Sequence, residues 1–344
     1  MNHIERFYAT IERKPVDKPA SWLGLPVPKS YDGLFRHFNV NSVDRLKFKL
    51  DDDIYPVEMP YDSPASNQIC TALNFSGSTE GAQDERTLTA PGFFEDYSDP
   101  SRVDDFDWPE PSKYIDRAQC RRVVEEAPQG YPIMGVIWSA HFQDACSAFG
   151  METALVKMLT EPEMFRAVID RITEFYLEAN EIFYSETRGK LHAVLIGNDF
   201  GSQSGLMLSP DSLREFVLPG TRRLIQQAKR YNLKVFHHSC GAIFDIIPDL
   251  IEAGVDVIHP IQALAKDMDP YKLKKEFGDK VSFCGGVDAQ NLLVNGTPQQ
   301  ILDKVAELKK LFPTGLIISP SHEAILPDIT PANVEALFKA VNKG

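Results

Sequence analysis

From about residue 130 onward, short runs of β-branched and apolar residues alternate with longer stretches whose apolar positions recur at helical spacing. The runs fall at 131–138, 192–199, 234–240, 255–260, 281–288 and 316–323, and long amphipathic patterns occupy about 151–187 and Ser209 to about Tyr231. Strands alternating with helices predict repeated βα units and a parallel sheet. A hydroxyl cap before proline at Ser209-Pro210 and at Thr330-Pro331 marks two helix starts. Two further strands would close an eight-stranded barrel, and Pro19–Leu25 and Asp53–Met59 are the apolar runs available. The predicted architecture is a single α/β domain over 1–344: a (β/α)8 TIM barrel with an N-terminal helical start. A segment rich in Gly, Ser, Pro and Asp around 63–111 reads as a loop or β insertion that caps the barrel.

Composition fits an ordinary globular chain, with 43% hydrophobic and 25% charged residues in 344. Thirty-six basic against 49 acidic residues give a formal charge of −13, a field that repels nucleic acid unless basic residues cluster, and none do. No apolar run has the length of a membrane span, and the first residues lack a signal pattern, so a soluble, cytoplasmic protein without membrane or nucleic-acid partner is expected. Five cysteines, an odd number without a CxxC pair, argue against a disulfide framework and for reduced thiols.

In a parallel barrel, function gathers at the carboxyl ends of the strands. Those ends read Asn198-Asp199, His237-His238-Ser239-Cys240, His259-Pro-Ile-Gln262, Cys284-Gly-Gly-Val-Asp288 and Ser319-Pro-Ser-His322-Glu323. His238 and Cys240, two apart on a strand, share a face and can converge on one point, whereas His237 should face the helices. An imidazole and a thiolate suit zinc, whose catalytic sites keep one corner open. Cys284, from a neighbouring strand, is read as packing or as a ligand, and Asp199 as a site group or as a loop residue bonding nearby amides. Cys70, Cys120 and Cys146 have no ligand spacing. Phosphate-loop, dinucleotide-turn, HExxH and GxSxG motifs are absent; in Gly201-Ser-Gln-Ser-Gly205, Gln203 holds the nucleophile's place.

Asp199-Phe-Gly-Ser-Gln, Leu208-Ser-Pro, His238-Ser-Cys-Gly, Gly254-Val-Asp-Val-Ile-His-Pro, Gly285-Gly-Val-Asp and Ser321-His-Glu-Ala-Ile-Leu-Pro-Asp-Ile-Thr-Pro occur in that order. On these segments the chain resembles the uroporphyrinogen decarboxylase family, single-domain barrels that also include corrinoid-dependent methyltransferases. The resemblance implies two competing chemistries. The decarboxylases hold a substrate rich in carboxylates with an arginine-bearing first-strand segment; here that stretch is Trp22-Leu-Gly-Leu-Pro-Val-Pro-Lys29, without arginine, which disfavours uroporphyrinogen. The methyltransferases carry His-x-Cys on the fifth strand and a later cysteine, binding zinc. His238 and Cys240 match the pair, and His322 stands where the late cysteine would lie, so His322 is the expected third ligand, with Cys284 its rival. The resemblance further implies a corrinoid (cobalamin) carried by a partner protein, since no Asp-x-His-x-x-Gly motif occurs here, a small methyl donor or acceptor, and a homodimer. Asp53, similar to the aspartate that meets the pyrrole nitrogens in the decarboxylases, Asp199 and His322 are the expected catalytic groups. Trp22, Trp138, Gln203, His259, Gln262 and Glu323 are the expected substrate contacts. A decarboxylase of porphyrin biosynthesis is the alternative, and a noncatalytic ligand-binding barrel the third reading.

Overall fold

The computed structural model describes residues 1–75 and 90–343. The strands among these residues are β1 (Leu25–Pro26), β2 (Tyr55–Glu58), β3 (Ile133–Trp138), β4 (Ala193–Gly197), β5 (Lys234–His238), β6 (Val257–Ile261), β7 (Ser282–Val287), β8 (Leu316–Pro320) and β9 (Ala324–Ile325). Strands β2 to β8 pair in sequence order and in parallel as one seven-stranded sheet, while β1 pairs β9 apart from it. The sheet curls until its edges meet through residues 20–22. Ser21 bridges Ile318 in parallel, the Trp22 amide donates to Ile318 O at 3.1 Å, and on the other side the Asp53 amide donates to Ser21 O at 3.1 Å. The first predicted strand is therefore a short stave between β8 and β2, and the fold is a (β/α)8-type barrel.

Side-chain alternation along each stave divides two cores. Met134 and Val136, Ala193 and Leu195, Phe236, Val257, Cys284 and Ile317 point inward and pack on one another, with Phe7 and Ile11 of the N-terminal helix His3–Ile11 closing the barrel's amino end. Intervening residues such as Val194, Ile196, Val235 and Ile258 join the larger core between sheet and helices. The parity that sends Phe236 inward also sends His238 inward and His237 outward, where it stacks on Phe200 with ring centroids 5.5 Å apart.

Two predicted helices are interrupted, both by proline. The 151–187 pattern divides into Met151–Thr160 and Pro162–Glu186, because Pro162 has no N–H and favours a helix's first turn. The pattern after Ser209 contains a π turn at Leu213–Val217 just before Pro219. Pro219 cannot donate to the Glu215 carbonyl, which accepts from Arg166 at 3.3 Å instead. The expected insertion around 63–111 holds two 3-10 helices, Ile69–Thr71 and Pro100–Asp105, with no strand among its described residues; its central part, 76–89, lies outside them. No helix among the described residues is long and apolar enough to cross a membrane.

Candidate active site

The carboxyl ends of β3, β4, β5 and β8 open into a cavity of about 710 Å³ whose lining includes Trp138, Asp199, His238, Cys240, His322 and Glu323. At its floor stands His238, the inward residue at the end of β5. Its Nε2 lies 3.5 Å from Cys240 Sγ and 3.3 Å from Asp199 Oδ1. Two ligands held at about 2.1 and 2.3 Å from one tetrahedral zinc stand about 3.5 Å apart, so these separations are those of neighbouring corners around such an ion. Ligand atoms of Asp199, His238 and Cys240 all lie within 4.8 Å of one another, and the nitrogen, sulfur and oxygen donors suit zinc. The residues present therefore fit the metal that the sequence implied, with Asp199 completing the set.

Each of these side chains is aimed by its neighbours. Asp199 Oδ1 accepts from the Cys240 amide at 2.9 Å, while Gln143 donates to Asp199 Oδ2 and accepts from its amide, both at 3.3 Å. Burial alone would raise the Asp199 pKa, but hydrogen bonding and charge from His238 outweigh it and bring the carboxyl down to about 2. Behind His238, His259 brings Nδ1 to within 3.0 Å of His238 Nδ1, and Glu323 Oε2 lies 3.4 Å from the same nitrogen. Burial, reinforced by the charge of His238, drives His259 well below the ordinary histidine range. Neutral His259 accepts the His238 Nδ1–H, which turns His238 Nε2 toward Cys240 and Asp199. His238 resists the cost of its own burial because Glu323, Asp199 and Cys240 surround it, and its pKa rises well above the ordinary value. The floor of the cavity thus stabilises positive charge.

Two backbone features allow this closeness. A Cβ on Gly197 would sit 2.1 Å from His238 O, so only glycine lets β4 approach β5 here. Trp138 and Ser139 hold φ of 53° and 54°, a left-handed conformation that costs a non-glycine residue about 1–3 kcal/mol and recurs at functional sites. The turn sets the Trp138 indole edge-on to His238 with centroids 5.3 Å apart.

The remaining expected site residues separate. His322 stands at the rim: its Nδ1 accepts from the Ala324 amide at 3.0 Å, and its ring centroid is 6.4 Å from that of His238. Its hydrogen bond with Cys240 raises its pKa against the opposing effect of burial. Cys284, the expected rival ligand, is instead part of the barrel's inner core, and burial pushes its thiol far up despite a hydrogen bond with Ser319. Its side chain points to the interior below the cavity, which assigns it to packing. Trp22 lies under His259, centroids 5.2 Å apart, in the same core. Gln262 accepts from the Gly241 amide at 2.6 Å and so holds the turn after Cys240. Gln203 is exposed on its loop. Of the expected substrate contacts, Trp138 and Glu323 line the cavity.

Asp53 requires a correction. It precedes β2 and therefore sits at the barrel's amino end, opposite the cavity, where Arg6 reaches its Oδ1 at 2.6 Å, His3 at 2.7 Å and the Ser21 amide its Oδ2 at 2.9 Å. A carboxylate at the entry of a strand faces away from the end where the staves hand over to loops. Gln143 and Asp144 are among the cavity residues that the sequence did not single out. The signal was available, since Ser139-Ala-His-Phe-Gln143-Asp144 directly follows the third strand, as the other site segments follow theirs.

The model of the uroporphyrinogen decarboxylase (URO-D) family matches residues 86–344. The chain is 28% identical to methylated-thiol–coenzyme M methyltransferase of Methanosarcina mazei over 51% of this chain and 44% of that protein. It is 29% identical to uroporphyrinogen decarboxylase of Chlorobium phaeobacteroides over 54% of this chain and 51% of that protein. The chain spans about half the length of the curated relatives it matches. The solved structure of a methyltransferase from Methanosarcina mazei aligns over 100% of this chain and 99% of that one, with a TM-score of 0.69 at 17% identity, which is a likeness of fold.

Proposed function

The chain belongs to the uroporphyrinogen decarboxylase family, and from that premise we propose that it is a zinc-dependent methyltransferase of a corrinoid system. Methyl would move between a small substrate in the cavity and a cobalamin-type cofactor on a partner protein. The observation that carries the reading is the convergence of His238 Nε2, Cys240 Sγ and Asp199 Oδ1 at the floor of an apolar cavity. In this reading these three side chains would hold the ion. When bound, zinc supplies Lewis-acid polarisation of a donor oxygen or sulfur, or lowers the pKa of a thiol.

The chain's own groups do the rest. His259 and Glu323 fix the orientation of His238, a neighbour relation that tunes metal ligands generally. With Nδ1 engaged by the Ala324 amide, His322 keeps its proton on Nε2, the side that remains for its hydrogen bond with Cys240. Trp138 walls the floor from water on the β3 side. Decarboxylation of a porphyrinogen finds less support: the cavity lining includes no lysine or arginine among the described residues to hold a polyanion.

Metal analysis tests the reading. Protein purified without added chelator is expected to carry close to stoichiometric zinc, and Cys240→Ala to lose it while folding normally by circular dichroism. The wild type is further expected to change the absorption spectrum of a free corrinoid when a methyl donor is added. Unchanged zinc in Cys240→Ala, or release of carbon dioxide from uroporphyrinogen, would overturn it.

A further inference from the structure

The segment Ser139-Ala-His-Phe-Gln143, which follows β3, is tied to Asp199 by hydrogen bonds that run through two amide side chains. The helix His141–Phe149 has Ala140 at its N-cap, a residue with no polar side chain to receive the first amides. Asn198, buried at the end of β4, serves in its place: its Oδ1 accepts from the Phe142 amide at 2.8 Å and from the Gln143 amide at 3.3 Å. His141 fixes which end of the Asn198 amide faces the helix. Burial lowers the His141 pKa, so the imidazole is neutral, and its Nε2 lies 3.0 Å from the Val217 carbonyl, nearer than its Nδ1 to the Ser139 carbonyl at 3.3 Å. The proton therefore sits on Nε2, and Nδ1 accepts from Asn198 Nδ2 at 3.3 Å. With its backbone held in this way, Gln143 turns its side chain onto Asp199, donating from Nε2 to Oδ2 and accepting from the Asp199 amide at Oε1, both at 3.3 Å. The other carboxylate oxygen, Oδ1, faces away from Gln143: it accepts from the Cys240 amide at 2.9 Å and lies 3.3 Å from His238 Nε2.

We propose that Gln143 is a positioning residue for the metal ligands: by holding Oδ2 and the amide of Asp199 it leaves Oδ1 alone to meet an ion between His238 and Cys240. A carboxylate can bind a metal through one oxygen or through two, and a second oxygen would take the corner that a catalytic zinc site keeps open. The hydrogen bond on Oδ2 opposes that second contact. Asn198 acts one step further back, because it sets where Gln143 stands against Asp199. This role rests on the reading of Asp199, His238 and Cys240 as metal ligands, and adds that the way Asp199 binds is set from outside the cluster.

Cobalt(II) tests this, because its visible bands are intense in a four-coordinate site and weaken when a fifth donor binds. The metal-free full chain is titrated with cobalt(II), and zinc affinity is read by chelator competition. The wild type is expected to show the intense bands. Gln143→Leu, and Gln143→Met as a second variant of similar length, are expected to weaken them by about twofold or more and to lower zinc affinity by about 10- to 100-fold, the range for groups that support a ligand. Because Gln143 is exposed to the cavity, both variants should keep the wild-type urea midpoint in metal-free protein, whereas Asn198→Ala, which frees two helix amides, should lower that midpoint as well as the bands. Wild-type bands and affinity in both Gln143 variants would overturn the proposal and leave the metal ligands standing, as would a loss of midpoint in those variants equal to that of Asn198→Ala. A wild type that takes up neither cobalt nor zinc would instead remove the zinc-dependent methyltransferase reading, and this role with it.

Discussion

His238 has two nitrogens and each has a different task. Nδ1 faces His259 and Glu323, and Nε2 faces Cys240 and Asp199. That division decides which neighbour completes a metal site, because a third ligand must reach the point that Nε2 and the Cys240 sulfur already share. Asp199 does so at 3.3 Å from Nε2, while the His322 ring stands farther out with its Nδ1 committed to the Ala324 amide. Removing a ligand costs more metal affinity than removing a group that only supports one, for which the usual loss is about 10- to 100-fold. Asp199→Ala is therefore expected to weaken zinc by more than a hundredfold in chelator competition, and His322→Ala by no more than about tenfold. The reverse order would give the third corner to His322. The sequence made the His238-x-Cys240 pair legible because two residues on one strand share a face by geometry alone. It put His322 in the third corner and read Asp199 as a catalytic or loop residue, since both stand at strand ends and spacing along the chain does not show which side chain comes near His238 and Cys240.

At the scale of elements, the site exists because β4 and β5 lie unusually close at their carboxyl ends. Gly197 is the point of closest approach, where an added Cβ would meet His238 O at 2.1 Å and His238 Cβ at 2.7 Å. Both obstacles are on β5 itself, so no flexible side chain can swing away. Gly197→Ala is expected to lower the unfolding free energy by about 3 kcal/mol, the upper end for overpacking a close contact. It should also lower zinc content, measured together on one preparation. Normal stability with normal zinc would show that the two strands have slack. The strands themselves were readable from periodicity, because six buried staves give near-continuous apolar runs. The closing stave was legible as the apolar run Pro19–Leu25, but not its extent, since only residues 20–22 make its few backbone bonds. The helix breaks at Pro162 and Pro219 were written in the chain but masked by amphipathic patterns that continue across them.

Over the whole barrel, the two ends divide labour as parallel barrels do, with chemistry above and stability below. Asp53 belongs to the lower end. Its carboxylate joins the N-terminal helix, through Arg6 and His3, to the first stave at Ser21, so one buried charge ties the plug to the closure of the sheet. Burial alone would raise its pKa, yet His3, Arg6 and Lys18 overcome that and lower it below the ordinary aspartate value. The sign follows from linkage. With the folded pKa below the unfolded one, about 3.9, the unfolded chain binds the proton more tightly. The contribution of Asp53 is fully present above that unfolded value and disappears as pH falls through the folded one. Asp53→Asn leaves buried Arg6 with Asp17 as its remaining carboxylate, and removal of one partner of a buried pair costs about 3 kcal/mol. Urea unfolding is expected to show that loss at pH 7, and to show it shrinking as both proteins are taken well below pH 4, where the wild-type carboxyl takes up its proton. Zinc binding at the upper end should be unaffected. A loss of zinc in Asp53→Asn at native stability would mean that the two ends are coupled through the staves, and that the carboxylate reaches the chemistry from the opposite face.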